Sequence, residues 1–420
     1  MKVLLLSLAP LFTTLGAAPQ TDVTPAQNHI QKALGAISKR PDSVQAYNAL
    51  AMAFAKRARE TADSEYYERG LLALDVSRSL EPDNFGARRT EAWLLLGLHR
   101  FQEAMQLATK LNSEVPDDLF IYGLLVDAHA ELGNYSAAEE ACQWMLDLRP
   151  GNAAGLTRAS YLRELFGDVE GALQMMADAY HGIHPNEHED QAWILTQMAH
   201  LNHSIGRNDV AATLARRALE LFPDYHYALA EMAKLQGEAG EHQAALDLLQ
   251  QRYALAPHPE NLLDVALAHQ ALGQAEQAAE LFQSFEAGAK AESESLDNAN
   301  RELALYLIEH TEGRAEEALA FAGLERQRRQ DVYTLDTYAW ALLANDRVEE
   351  ARREIELALA VGQRDARLLF HAGAIALRAG DLDLARRQLE ESLRLQPLAP
   401  TAQRAKKLLG ELAKGELESN

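Results

Sequence analysis

The chain has 420 residues, a formal net charge of −22 and a single cysteine, Cys142. A field of that sign repels a phosphate backbone, so the composition argues against nucleic acid as the partner. One cysteine excludes an internal disulfide framework, and stability must therefore come from packing. Aromatic residues are only 7% of the chain, while Ala and Leu dominate, which favours closely packed helices.

Residues 1–18 have the three parts of a secretory signal peptide. Lys2 supplies the positive charge, Val3 to Phe12 form a short apolar run, and Gly16-Ala17-Ala18 is a small-residue cleavage zone. The run is shorter than the roughly 20 apolar residues that span a bilayer. The sequence therefore predicts an exported protein, periplasmic or secreted, that is cleaved near residue 18. An uncleaved N-terminal anchor is the alternative and would be the only membrane attachment.

A period of 34 residues runs through the chain. Pro82, Pro116 and Pro150 are 34 residues apart, and so are Pro223 and Pro257. Seven glycines each precede an alanine by five residues, as a helix-ending turn precedes a crossing of two helices. The glycines are Gly133, Gly167, Gly206, Gly240, Gly273, Gly313 and Gly380, and their partners are Ala138, Ala172, Ala211, Ala245, Ala278, Ala318 and Ala385. This period is that of a helix–turn–helix repeat.

The segment from Leu119 to Asn152 resembles the tetratricopeptide repeat (TPR) family. Bulky or small residues stand at the family's core positions, with a turn glycine and a closing proline: Tyr122, Leu125, His129, Gly133, Ala138, Cys142 and Pro150. From about Gly167 onward the chain is also similar to large exported bacterial multi-repeat proteins of unassigned function. The resemblance implies an all-α, right-handed superhelical α-solenoid of about ten repeats, which binds other proteins and catalyses nothing.

The repeats define the predicted organisation. An N-terminal capping helix at 24–40 precedes seven repeats over 41–298 and three more over 299–399, and a capping helix with a tail fills 400–420. About seven extra residues, near 58–64, separate the helices of the first repeat. The polar stretch 287–298 is the predicted hinge.

The resemblance implies that four positions of each first helix face the concave side of the superhelix. Eight aromatic residues at those positions are the predicted partner-binding residues: Trp93, Phe120, Tyr161, Trp193, Tyr227, Tyr333, Trp340 and Phe370. Exposed aromatics on such a face suit capture of a peptide or a helix, although each could instead fill a gap between helices. The family's carboxylate clamp is not indicated, because its cationic and amide positions hold only isolated residues: Asn48, Arg89, Lys234 and Arg367.

Histidines cluster between residues 181 and 203. His181, His184, His200 and His203 are candidate metal ligands, although neither spacing is a recognised metal signature and loop histidines are ordinarily solvated. The chain has no glycine-rich phosphate loop, no G-x-S-x-G elbow and no H-E-x-x-H motif. We therefore predict no catalysis and no cofactor.

The sequence favours a non-catalytic scaffold that binds a peptide or helical segment of another protein on its concave face, in the bacterial cell envelope. One alternative is a metal-binding or enzymatic accessory protein built on residues 181–203. Another is a self-assembling array, since the sequence leaves the oligomeric state open.

Overall fold

The structure, a computed structural model, describes residues 24–419, with side chains to residue 414. The predicted signal segment, 1–18, lies outside this range. The described residues hold 22 α-helices and no strand. The helices are α1 (Pro25–Lys39), α2 (Val44–Thr61), α3 (Glu65–Leu80), α4 (Phe85–Gly97), α5 (Phe101–Glu114), α6 (Leu119–Glu131), α7 (Tyr135–Leu148), α8 (Ala153–Leu165), α9 (Val169–Gly182), α10 (His188–Ser204), α11 (Asn208–Leu221), α12 (His226–Glu238), α13 (His242–Leu255), α14 (Pro259–Ala271), α15 (Ala275–Ala291), α16 (Asn300–His310), α17 (Ala315–Arg328), α18 (Val332–Ala344), α19 (Val348–Ala360), α20 (Ala366–Arg378), α21 (Leu382–Leu395) and α22 (Ala402–Ser419).

Successive helices pack as hairpins, which we number as repeats. Repeat 1 is α2–α3, repeat 2 is α4–α5, and the series continues to repeat 10, which is α20–α21. Helix α1 precedes the hairpins and packs on α2, and α22 follows them and packs on α21. The prediction of an all-α solenoid of about ten helix pairs is confirmed.

The predicted turn and crossing residues are also confirmed. All seven turn glycines have a positive φ, from 71° at Gly313 to 84° at Gly240. The alanines five residues later are all buried, as the predicted close packing of the two helices requires. Repeats 2 and 9 lack the glycine, yet His99 and Asp346 adopt the same left-handed conformation, with φ of 56° and 57°. The turn geometry is therefore a property of the repeat, which glycine makes less strained.

Two departures from the repeat have local explanations. The extra residues of repeat 1 mostly lengthen its first helix, because α2 runs for 18 residues to Thr61. In the predicted hinge, Arg328 donates hydrogen bonds to the carbonyl oxygens of Ser293 and Ser295, and Asn298 donates one to Glu325. These bonds tie the stretch to α17, and the hinge itself stays a prediction.

The chain divides into two compact units after Leu125. The described part of unit 1, residues 24–125, has its core around Tyr47, Leu50, Leu74 and Leu94. Unit 2 comprises residues 126–419 of the described chain. No such boundary falls at the division predicted between 298 and 299, which stays a prediction.

Unit 2 curves until repeats five apart touch. The turn inside repeat 3 meets the loop that follows repeat 8, where the Gln330 amide donates to the Glu131 carbonyl oxygen at 3.1 Å. Beside it, the Val332 amide donates to the Tyr135 hydroxyl at 3.1 Å. The Arg329 guanidinium lies 3.5 Å from the Glu131 carboxylate.

Two further contacts repeat this arrangement. The turn of repeat 4 packs on the loop after repeat 9, so closely that a β-carbon on Gly167 would lie 2.6 Å from the Gly362 carbonyl oxygen. The turn of repeat 5 packs on the loop after repeat 10, where the Gln396 side chain donates to the His203 carbonyl oxygen at 3.3 Å. We call these three the turn-to-turn contacts. They close the curve of unit 2 and bring first helices from distant repeats together.

Candidate functional site in unit 2

The closed curve gathers a polar and aromatic cluster on its inner side. We call it the inner cluster, and its members come from repeats 3, 4, 8, 9 and 10 or the loops beside them: Glu131, Tyr161, Arg301, Asp331, Tyr333 and Arg367. Arg301 and Asp331 lie 3.6 Å apart. Tyr161 and Tyr333 are close enough for the charge of one phenol to affect the pKa of the other.

Charged groups of the inner cluster shift one another's pKa values. Burial lowers the pKa of Arg301, but Glu302, Asp331 and Glu131 more than offset it, and the pKa ends above its usual value. Burial together with the Asp331 charge raises the pKa of Glu131 to about 7, despite Arg329 and Arg301 nearby. Burial and neighbouring charges together account for these shifts, and the inner cluster holds guanidinium groups beside carboxylates rather than charges of one sign.

The same residues are enclosed yet reachable by water. The side chains of Arg301 and Arg367 are 29% and 44% exposed, although burial is the largest single effect on the pKa of each. Burial likewise raises the pKa of Tyr161 and Tyr333, which are both half-buried. Water-accessible groups with protein on most sides line a recess rather than an open surface. Guanidinium donors, carboxylate acceptors and phenols together suit the main chain and polar side chains of a peptide.

The candidate metal histidines do not form one site. His181 lies exposed in the last turn of α9, and His184 lies exposed in the loop between α9 and α10. His200 contacts the Glu164 carboxylate at 2.8 Å. Both ring nitrogens of His203 are engaged, with Glu231 at 2.9 Å and Glu238 at 3.0 Å.

His203 is the centre of an ion-pair network. Burial lowers its pKa, but the hydrogen bonds to the two carboxylates raise it to about 9, so the imidazole is protonated at neutral pH. A protonated imidazole cannot ligate a metal. No group of three or more His, Cys, Asp or Glu side chains in residues 24–419 has an arrangement that could hold a metal ion. The metal-binding alternative therefore gains no support from these residues.

Two of the predicted partner-binding aromatics are not exposed. Phe370 is 1% and Trp340 7% exposed, contrary to the prediction that they lie open on the concave face. The Arg404 guanidinium of α22 covers both, 4.8 Å from the Phe370 ring centre and 5.4 Å from that of Trp340. The final helix thus occupies the surface that the repeat pattern assigns to a partner.

The other aromatics occupy separate places. In unit 1, Trp93 and Phe120 pack edge to face with ring centres 5.7 Å apart. In unit 2, Trp193 is half-buried between two core clusters, and Tyr227 is 41% exposed. Only Tyr161 and Tyr333 join the inner cluster. The partner-binding role of the exposed and half-buried members stays a proposal.

Sequence reasoning missed most of the inner cluster. Glu131, Arg301 and Asp331 lie near helix ends, where charged residues are ordinary. Arg367 was visible at an inward position but stood alone in its repeat. No local signal marks these residues, because their proximity depends on the turn-to-turn contacts.

The remaining sequence candidates are structural. Cys142 is buried, and its thiol lies 3.7 Å from the Gly155 carbonyl oxygen. Burial raises its pKa to about 11, so the thiolate nucleophile is scarce at neutral pH.

Across the described helices, none has the length and apolar character needed to span a bilayer.

Comparison with known proteins concerns the fold. No protein-family model and no curated protein matches the sequence. A structure of a monomeric mutant of human IFIT1 with Gppp-AAAA is 13% identical, with 89% of this chain and 96% of that chain covered at a TM-score of 0.50. PilW, a type IV pilus biogenesis factor, is 16% identical over 50% of this chain and 96% of that one, with a TM-score of 0.43. TTC0263, a thermophilic TPR protein of Thermus thermophilus, is 18% identical over 50% of this chain and 98% of its own, at 0.37.

The helix pairs and their left-handed turns, with the likeness to the IFIT1 structure, show the fold to be an α-solenoid of the TPR type. Identities this low show the fold alone. The ligands and assemblies named for the similar structures therefore belong to those proteins.

Proposed function

We propose that this protein is a non-catalytic interaction scaffold, and that the recess of unit 2 binds a peptide or helical segment of another protein. The observation that carries the proposal is the inner cluster, in which Tyr161 and Tyr333 from repeats 4 and 9 stand beside two arginines and two carboxylates. Such a surface offers hydrogen bonds and aromatic faces to an extended chain. Its members lie mainly on first helices, as the repeat pattern predicts for a binding face.

The net charge of the chain bears on the class of partner. Carboxylates around Arg301 outweigh the effect of burial on its pKa, and the chain as a whole carries a charge of −22. RNA or DNA would meet long-range repulsion from this net charge. A protein segment that is neutral or basic fits this recess better than a nucleic acid.

We place the proposed interaction in the bacterial cell envelope. The support is the N-terminal segment 1–18, with its positive start, apolar run and small-residue end. Fractionation with mass spectrometry of the mature N-terminus tests this setting. A periplasmic or secreted chain that begins near residue 19 is expected, and a cytoplasmic chain that retains residues 1–18 would refute the setting.

Site-specific photo-crosslinking tests the binding surface in the producing cells. Benzoylphenylalanine is placed at Tyr161 in one variant and at Tyr333 in another. The control carries it at Trp144, which is 49% exposed on the second helix of repeat 3. We expect the same adduct from positions 161 and 333 and a different pattern from 144. Identical adducts from all three positions, or none from the first two, would contradict the proposal.

A further inference from the structure

The last helix, α22, places an arginine on the inner face of repeats 8 to 10. Arg404 contacts residues from three first helices at once. Its Nη1 lies 2.6 Å from a carboxylate oxygen of Glu309 on α16. Its guanidinium lies above Trp340 of α18 and Phe370 of α20. We call Glu309, Trp340 and Phe370 the arginine seat.

The Trp340 ring of the arginine seat packs against a buried residue. The His371 ring stacks under Trp340 with ring centres 4.1 Å apart and planes 14° apart. His371 is fully buried, and its Nδ1 contacts the Asp336 carboxylate at 2.8 Å. A rigid pair of aromatic faces next to a carboxylate matches a planar guanidinium, which stacks and ion-pairs together.

Helix α22 fills the seat but leaves a donor beside it unsatisfied. The buried Trp340 Nε1–H has no acceptor among the described residues. An unpaired buried donor costs free energy, so a chain that brought an acceptor to the indole would be favoured over α22. Arg404 itself remains 43% exposed, which leaves room for exchange with solvent and competitors.

We propose that the arginine seat recognises an arginine of a basic segment in the partner protein, and that α22 is a built-in competitor for it. This inference rests on the proposed function, because it assigns the chemistry of the bound segment. The start of α22, residues 403–407, reads QRAKK and is itself basic. It therefore shows the kind of sequence that the seat accepts.

Charge favours a cation at the seat in two ways. The faces of two aromatic rings are negative. Glu309 would be left without Arg404, its partner here, when α22 departs. An acidic segment would be repelled by the negative faces of the rings and by the Glu309 carboxylate.

The test measures whether an arginine probe binds when α22 is released. The probe is a fluorescent peptide of residues 400–411, PTAQRAKKLLGE, with matched peptides that carry Ala or Lys in place of the arginine. The full chain with Ala405→Glu is the receptor, because Ala405 is fully buried and a carboxylate there drives α22 off its position. Gln403→Glu adds the same residue at an exposed neighbouring position and is the control.

We expect the arginine probe to bind the Ala405→Glu chain at least tenfold more tightly than the Gln403→Glu chain. In the control, α22 competes at an effective concentration on the order of millimolar. Replacing the probe arginine by Ala should weaken binding about tenfold, with Lys between the two. Hydrogen exchange of residues 402–412 verifies that α22 has left. Equal binding of the Arg and Ala probes to a chain with a released α22 would overturn the proposal.

Glu309→Gln provides an independent measurement in the receptor chain, where α22 is already released. Added to the Ala405→Glu chain, it should weaken the arginine probe severalfold and leave the alanine probe unchanged. Equal effects on both probes would refute the seat. A dimer in which the α22 helices of two copies exchange would also refute it, in favour of self-association.

The two proposals can fail separately. If crosslinks from Tyr161 and Tyr333 identify a partner but the probes show no arginine preference, the scaffold function stands and the arginine seat does not. If the probes behave as expected while the crosslinks fail, the seat stands and the inner cluster is not the binding surface.

Discussion

Adding one methyl group at Gly167 tests whether the turn-to-turn contacts hold unit 2 closed. Gly167 has a φ of +81°, and a β-carbon there would lie 2.6 Å from the Gly362 carbonyl oxygen. That oxygen belongs to the main chain and cannot swing aside as a side chain would. Gly167→Ala should therefore push the loop after repeat 9 away from the turn of repeat 4.

The matched control is Gly240→Ala. Gly240 holds the equivalent turn of repeat 6 with a φ of +84°, but a β-carbon there would meet no atom within 4 Å. Both variants bear the strain of alanine in a left-handed conformation, roughly 1–2 kcal/mol, and both lose the same chain entropy in the unfolded state. Only Gly167→Ala adds the clash, and overpacking of this kind costs about 1–3 kcal/mol. The difference between the variants should thus be about 1–3 kcal/mol.

The contacts offer a graded series for the same assay. A β-carbon added at Gly133 would lie 2.7 Å from the Gln330 carbonyl oxygen, and one added at Gly206 would lie 3.3 Å from the Leu395 carbonyl oxygen. Alanine at Gly133 should cost as much as at Gly167, and alanine at Gly206 less. Gly273, with open space, supplies a second control. Urea unfolding monitored by circular dichroism gives the free energies of unfolding, and small-angle X-ray scattering shows whether unit 2 has opened.

Equal losses of stability in Gly167→Ala and Gly240→Ala, with unchanged scattering, would refute the reasoning. The turn-to-turn contacts would then bring repeats near one another without stabilising the closed form of unit 2. Opening should also disperse the inner cluster, so crosslinking from Tyr161 and Tyr333 should fall in Gly167→Ala and persist in Gly240→Ala.

Three further predictions concern single groups. The pKa of His203 is raised from 6.5 to about 9, so protonation of this residue stabilises the fold fully below pH 6.5, and the stabilisation is lost as pH rises through 9. Urea unfolding should give a free energy of unfolding that is lower at pH 10 than at pH 6 by on the order of 3 kcal/mol, and His203→Asn should abolish this difference. The pKa of Glu131 is raised from 4.5 to about 7, so the fold loses stability as pH rises from 4.5 through 7. Glu131→Gln should equal the native chain at pH 4 and exceed its free energy of unfolding at pH 8 by on the order of 3 kcal/mol, and the exposed Glu139→Gln should not. Because burial raises the pKa of Cys142 to about 11, a thiol reagent at pH 8 should modify it only in urea, and rapid modification of the native chain would contradict its buried position.

The helix pairs were predictable because their signals are local. The period of the prolines, the turn glycines such as Gly133 and the crossing alanines such as Ala138 each act within one repeat or between neighbours. His99 and Asp346 could not be identified as turn residues from composition, yet their positions five residues before Ala104 and Ala351 place them in the same conformation.

The candidate site was predictable only in part. The inward positions included Tyr161 and Tyr333, which join the inner cluster, but the same pattern also selected Phe370, which is buried. The pattern describes a repeat with neighbours on both sides. It carries no information about α22, whose Arg404 covers Phe370 and Trp340 at the end of the array.

The sequence by itself determined the unit of structure: a hairpin of two helices with a left-handed turn and a small residue at the crossing. Only the tertiary structure decided that the turn of repeat 4 meets the loop after repeat 9, and so which side chains share the recess. The physical reason is that small rotations between successive hairpins accumulate along the array. Whether repeats five apart touch depends on the sum of these rotations. The residue pattern of one repeat constrains only the rotation between that repeat and its neighbour.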